Sequence, residues 1–122
     1  MITRVKLGSV WVSDQDKAFD FYVRKLGFEV KTDQTMNSFR WLEVAPSGAE
    51  TNLALAKPNP GQKDATIGGF TGITFDADDV QATYDELVAK GVPFTEPLAK
   101  QPWGGLMAQF ADPDGNVFML GG

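Results

Sequence analysis

The chain has 122 residues, 43% of them apolar, a formal net charge of −5, and neither Cys nor His. That length suits one domain with one core. The missing Cys exclude disulfides and thiolate chemistry, and the missing His removes the commonest base near neutral pH and the commonest nitrogen ligand of transition metals. An acidic balance without clustered Lys and Arg argues against nucleic acid as a partner; it serves solubility and attracts cationic small molecules. No apolar run reaches the roughly 20 residues of a membrane span, and no basic segment followed by an apolar stretch opens the chain, so the expectation is a cytoplasmic protein without a membrane partner.

Ile2 to Val12 alternates as a strand, with Val5, Leu7, Ser9 and Trp11 on one face and Lys6, Gly8, Val10 and Val12 on the other. Ser13-Asp14 stops it and offers a helix N-cap. Ala18, Phe19, Phe21, Tyr22 and Leu26 then recur at helical spacing over 16–26, a helix of about three turns closed by Gly27. Phe28 to Lys31 reads as a strand and the polar run Thr32 to Asn37 as its turn. Ser38 to Ala45 is the next strand, with Phe39, Trp41 and Glu43 opposite Arg40, Leu42 and Val44, and Thr51 to Ala56 returns beyond the turn at Pro46-Ser47-Gly48. Two Pro, an Asn and a Gly within Lys57 to Lys63 mark a linker.

The second half repeats this order. A strand over 70–75 leads into Asp78-Asp79, and a helix from Val80 to Lys90 that buries Val80, Tyr84, Leu87 and Val88 ends at Gly91. A short strand near Val92 to Phe94, a loop bearing Pro97 and Pro102, and a strand from Leu106 to Phe110 follow. The chain closes on a hairpin: Asp112-Pro113 opens the turn, Asp114-Gly115 tolerates positive φ, and the strand Val117 to Leu120 sets Val117 and Met119 on one face and Phe118 and Leu120 on the other. The expected fold is therefore α+β, two βαβββ modules in a single domain, with module one at 1–57, a linker at 58–69 and module two at 70–122. Each module leaves one face of its sheet without a helix, and two modules side by side are expected to make a concave cup for a small ligand.

Val12-Ser13-Asp14, a helix carrying Phe21-Tyr22, Leu26-Gly27-Phe28, and above all Asp112-Pro113-Asp114-Gly115-Asn116-Val117-Phe118 after Asp78-Asp79-Val80 resemble the vicinal-oxygen-chelate superfamily along essentially the whole chain. That superfamily includes glyoxalase I, extradiol dioxygenases, fosfomycin-resistance enzymes and bleomycin-resistance proteins. In its metal-dependent members four ligands line the cup. The resemblance carries those positions onto Leu7, seven before Asp14; Gly72, seven before Asp79; Ala54 in the last strand of module one; and Met119, where a Glu is usual. None offers more than the weak thioether of Met119, so no metal and no cofactor is expected. Glu43, Glu50, Asp76 and Asp112 show no metal-ligand spacing and read as solvated surface or hairpin chemistry, with Asp76 standing on the face of Gly72 and Thr74.

What remains for the cup is a binding surface: Leu7, Ser9 and Trp11, their counterparts Gly72, Thr74 and Asp76, then Trp41, Ala54, Trp103, Met107, Met119 and a polar handle in Gln109. Aromatic and thioether groups stack on flat rings and adapt to them. The combination is similar to the bleomycin-resistance branch, which implies a homodimer that sequesters a cationic, ring-bearing antibiotic, the acidic charge steering it. The alternatives are an enzyme of glyoxalase or dioxygenase ancestry, with Asp76 or Glu43 as base, and an interaction module whose cup is filled by side chains.

Overall fold

Asp14 is where the first strand becomes a helix. Its carboxylate accepts from the backbone N–H groups of Asp16 (2.9 Å) and Lys17 (3.1 Å), which satisfies donors that the first helical turn leaves without partners. Asp79 does the same for the second helix through the N–H of Ala82 (3.0 Å). These two caps punctuate a repeated order, which the computed structural model describes over all residues, 1–122. It runs β1 (Leu7–Trp11), α1 (Gln15–Phe19), β2 (Glu29–Met36), β3 (Phe39–Ala45), β4 (Asn52–Ala56), then β5 (Gly69–Asp76), α2 (Val80–Ala89), β6 (Phe94–Lys100), β7 (Leu106–Ala111) and β8 (Asn116–Gly121). The chain divides into two compact units, Met1–Ile67 and Gly68–Gly122.

Each unit holds a four-stranded sheet of the same topology, β1-β4-β3-β2 in the first and β5-β8-β7-β6 in the second. The outer pairs β1·β4 and β5·β8 are parallel, and the remaining neighbours are antiparallel. A parallel pair needs a crossover, which the helix and two intervening strands supply. The α+β fold of two βαβββ modules is thus realised.

In the first unit the helix covers the face carrying Val10, Leu42, Val44, Leu53 and Leu55, all buried, and adds Ala18, Phe21 and Tyr22 to the same core. Gln15 fastens the start of α1 to that face, its amide donating to the carbonyls of Arg40 (3.0 Å) and Leu55 (2.9 Å). At the rim, Arg40 donates to both oxygens of Asp33 and to Asp16, each at 2.8 Å, and lies 5.8 Å from the ring centre of Phe19. The guanidinium holds the Asp33 carboxyl below its usual range. In the second unit α2 covers Phe75, Ala108, Phe110, Phe118 and Leu120; the rings of Phe110 and Phe118 lie 5.6 Å apart, and that of Tyr84 meets Phe94 at 4.6 Å.

Several sequence expectations are corrected. Residues 2–6 are exposed and outside the strand, which begins at Leu7. The first helix turns α-helical only over Gln15–Phe19 and continues as a π-helix over Asp20–Lys25, with Leu26 N–H reaching the Phe21 carbonyl five residues back (3.0 Å). Thr32 to Met36 is strand, not turn: the reversal is only Asn37-Ser38, with Asn37 at φ 56°. Apolar-polar alternation is missing there because β2 is an edge strand exposed along nearly its whole length. Pro97 lies inside β6, another edge strand, where a missing N–H breaks no inner ladder and two register shifts absorb it. Val88 is 49% exposed, while Val80 and Leu87 make the buried side of α2.

Candidate functional site

Residues paired across neighbouring strands point to the same face of a sheet. In the first unit this gives a row Ser9, Ala54, Glu43, Thr32 on the face opposite α1, flanked by Trp11 beside Ala56 and by Trp41 beside Gln34. Leu7, Ser9, Trp11, Trp41 and Ala54 therefore share one surface. In the second unit the row Thr74, Met119, Gln109, Glu96 lies opposite α2, with Asp76 and Met107 across Gly121 in the next. Thr74, Asp76, Met107, Gln109 and Met119 share that surface.

Two residues stand apart from these rows. Gly72 sits in a bulge of β5, where the register against β8 shifts between Phe70 and Thr74, and its φ of 75° is one a side chain rarely adopts. The bulge is tied down by Thr71, whose hydroxyl donates to the Val117 carbonyl (2.7 Å) and accepts from Ile73 N–H (3.1 Å). Trp103 is on the loop between β6 and β7, 70% exposed, and belongs to no strand face.

Leu7, Ala54, Gly72 and Met119, the four positions that the sequence resemblance assigns to a cation, form a set with no nitrogen or oxygen side-chain donor. No group of three or more His, Cys, Asp or Glu is arranged so that it could hold a metal ion. The residues present do not fit a divalent metal at those positions.

Glu43 is the residue that sequence reasoning undervalued. It is buried, at 8% exposure, in the middle of the first unit's helix-free face. One carboxylate oxygen accepts from the Trp41 indole N–H at 2.6 Å and the other from the Asn52 amide at 2.9 Å. These two donors, Asn52 before Trp41, hold its carboxyl below the usual Glu range, with a smaller contribution from Lys6. The signal was present in Trp41-Leu42-Glu43, a spacing of two that places both side chains on one face. Phe39 extends the same row: its ring stacks on Trp41 with centroids 6.4 Å apart and planes 24° apart.

A groove of about 650 Å³ opens elsewhere on the first unit, lined among others by Asp14, Asp16, Asp33, Arg40 and Lys57. Arg40 is already saturated there by two carboxylates, and Asp14 is used as a helix cap. That groove is accounted for as a charged rim of the helix packing. The helix-free faces, with their aromatic, thioether and amide groups, are the better candidate surface.

The Glyoxalase/Bleomycin resistance protein/Dioxygenase superfamily model matches residues 3–120. Among solved structures, a member of that superfamily from Sphaerobacter thermophilus DSM 20745 superposes with a TM-score of 0.89 at 42% identity, covering 98% of this chain and 97% of the other. TnmS3, an antibiotic binding protein from Streptomyces sp. CB03234, does so with a TM-score of 0.83 at 42% identity, covering 98% and 95%. The Bacillus subtilis (strain 168) protein YetH is 37% identical over 98% of both chains. With the repeated βαβββ order, the closing Asp-Pro-Asp-Gly-Asn hairpin and a model match from one end to the other, the chain belongs to the glyoxalase, bleomycin-resistance and dioxygenase superfamily.

Proposed function

We propose that this protein binds and sequesters a small, flat, ring-bearing organic molecule of antibiotic type, without a metal and without turnover, as a cytoplasmic homodimer of a single two-module domain. The observation that carries the reading is the exchange of chemistry on the helix-free faces. The metal positions hold Leu7, Ala54, Gly72 and Met119, while Trp11 and Trp41 stand on one face and Met107, Gln109 and Met119 on the other. Indole and thioether groups offer polarisable contact area to aromatic ligands, and the amide of Gln109 orients them. The 42% identity to an antibiotic binding protein supports the same reading, as does the net charge of −5, which draws cations toward the surface.

A general base is not evident. Glu43 is the buried carboxylate of the site, and the two N–H groups that hold its carboxyl low make it a weak base at neutral pH. Binding without turnover is what such a group supports.

Titration with a planar aromatic antibiotic, read by intrinsic Trp fluorescence, tests the proposal. Saturable quenching with a Kd in the micromolar range, about −8 kcal/mol, is the expected result, with the antibiotic recovered chemically unchanged. Trp41→Ala is expected to weaken binding by about tenfold, the loss of one stacked ring. An unaltered emission spectrum across a panel of such compounds, or conversion of the ligand, would count against the proposal.

A further inference from the structure

The carboxylate of Glu43 stays ionised although it is nearly withdrawn from water. Withdrawing a charge from water costs free energy unless hydrogen bonds or an opposite charge compensate. Here two neutral donors, Trp41 and Asn52, more than offset that cost and keep the carboxylate ionised, while the one nearby cation, Lys6, acts only from beyond ion-pair distance. A carboxylate has about four acceptor sites, so two bonds leave capacity unused. The charge elsewhere in this unit is handled differently: Arg40 is closed on both sides by Asp33 and Asp16.

Its surroundings are those of a recognition group. The paired donors fix the carboxylate from both oxygens, so no rotamer freedom is left to lose on binding. The same bond from Nε1 fixes the Trp41 ring, and Phe39, 51% exposed, extends that ring into an aromatic ledge along β3. Across β4 and β1 the register sets only the small side chains of Ala54 and Ser9 beside Glu43. A polar anchor thus lies at the edge of a stacking surface, with small groups on its other side.

We infer that Glu43 selects the ligand: the molecule bound on this face carries a protonated amine or ring N–H at the edge of a planar aromatic system, donated to the Glu43 carboxylate while the rings lie on Trp41 and Phe39. This rests on the binding function proposed above and adds the residue that reads the ligand's charge. Asn52 is the positioning residue, holding the second oxygen so that the first stays beside Trp41.

Two tricyclic dyes of like shape and opposite charge serve as probes, titrated calorimetrically into the whole protein. Proflavine is a planar cation with amine donors; anthraquinone-2-sulfonate is a planar anion. Proflavine is expected to bind at least about tenfold more tightly than the sulfonate, and Glu43→Gln, with its fold confirmed by circular dichroism, is expected to narrow that gap to about threefold or less. Glu86→Gln removes an exposed charge on α2 and is expected to leave the gap unchanged. A gap that survives Glu43→Gln, that narrows equally in Glu86→Gln, or that favours the sulfonate in the unaltered protein overturns the inference while leaving the binding function standing. Binding of neither dye removes the binding function and the inference with it. Should Glu43→Gln fail to fold, Glu43→Asp takes its place: it keeps the charge but draws it back from the ring edge by a methylene, so a narrowed gap supports the inference and an unchanged gap overturns it.

Discussion

Phe110→Ala is expected to lower the unfolding free energy by about 3–5 kcal/mol in urea denaturation, the usual cost of emptying an aromatic site in a packed core. Phe110 is 1% exposed and stands at the centre of a ring cluster, 5.6 Å from Phe118, 5.8 Å from Phe94 and 6.1 Å from Phe75. Three of these four rings come from adjacent strands in one register row, Phe94, Phe110, Phe118, so removing the middle one leaves both neighbours facing a void. Against a typical stability of about 5–15 kcal/mol, the loss is a large share of the total. Phe70, 62% exposed on β5, is the control: its replacement by Ala is expected to change stability by less than about 0.5 kcal/mol. A Phe110→Ala protein as stable as the unaltered one would mean that the second unit's core is not where the packing places it.

Asp112→Ala is the second large effect, expected at about 3 kcal/mol, and it acts through hydrogen bonds instead of volume. The Asp112 carboxylate, 4% exposed, accepts from the N–H groups of Asp114 and Asn116 at 2.9 Å and from the Asn116 amide at 2.8 Å. Asn116 in turn accepts from Gly68 N–H at 2.8 Å, so one carboxylate organises the β7–β8 turn and the entry to β5 together. Replacing it strands donors in a buried place, where each costs about 1–3 kcal/mol. Asp112→Asn, which keeps an acceptor oxygen, is expected to recover part of the loss in the same denaturation measurement.

That hairpin also shows why so much of the fold was legible. Asp112-Pro113-Asp114-Gly115-Asn116 specifies its turn through chemistry local to five residues, and Gly115 takes the positive φ, 79°, that the spacing requires. The caps at Asp14 and Asp79 are local in the same sense. What local pattern does not hold is pairing. The five exposed residues 2–6 alternate as well as β1 does, yet lie outside the strand, and Thr32 to Met36 alternates poorly yet pairs with β3 along its length. Likewise a π-helix over Asp20–Lys25 shares its sequence signature with an ordinary helix and differs only in which carbonyl each N–H finds.

The candidate site divides along the same line. Facing was readable from alternation, which is why Leu7, Ser9, Trp11, Trp41 and Ala54 share a surface as the sequence suggests. Trp103 carries an aromatic side chain of the right kind, but its loop and its exposure are set by the turn through Gln101 to Gly105, where Gln101 N–H meets the Gly105 carbonyl at 2.7 Å. Glu43 reads from the sequence as solvated surface, or as a base in the enzyme alternative, because carboxylates are usually solvated. Its burial is decided by Asn52, nine residues on and across the β3–β4 pair, a partner no single-strand pattern reveals.

The proposed function requires that the helix-free faces grip an organic ring without the help of a metal ion. Thermal unfolding with and without a planar aromatic antibiotic, run before and after exhaustive chelation, tests it most directly. At a free ligand concentration of about 100 Kd the stabilisation is about 2.7 kcal/mol, an upward shift of roughly 10 °C for a chain of this size. The same shift is expected in both samples. A shift that chelation abolishes and added Ni²⁺, Zn²⁺, Fe²⁺ or Mn²⁺ restores would contradict it.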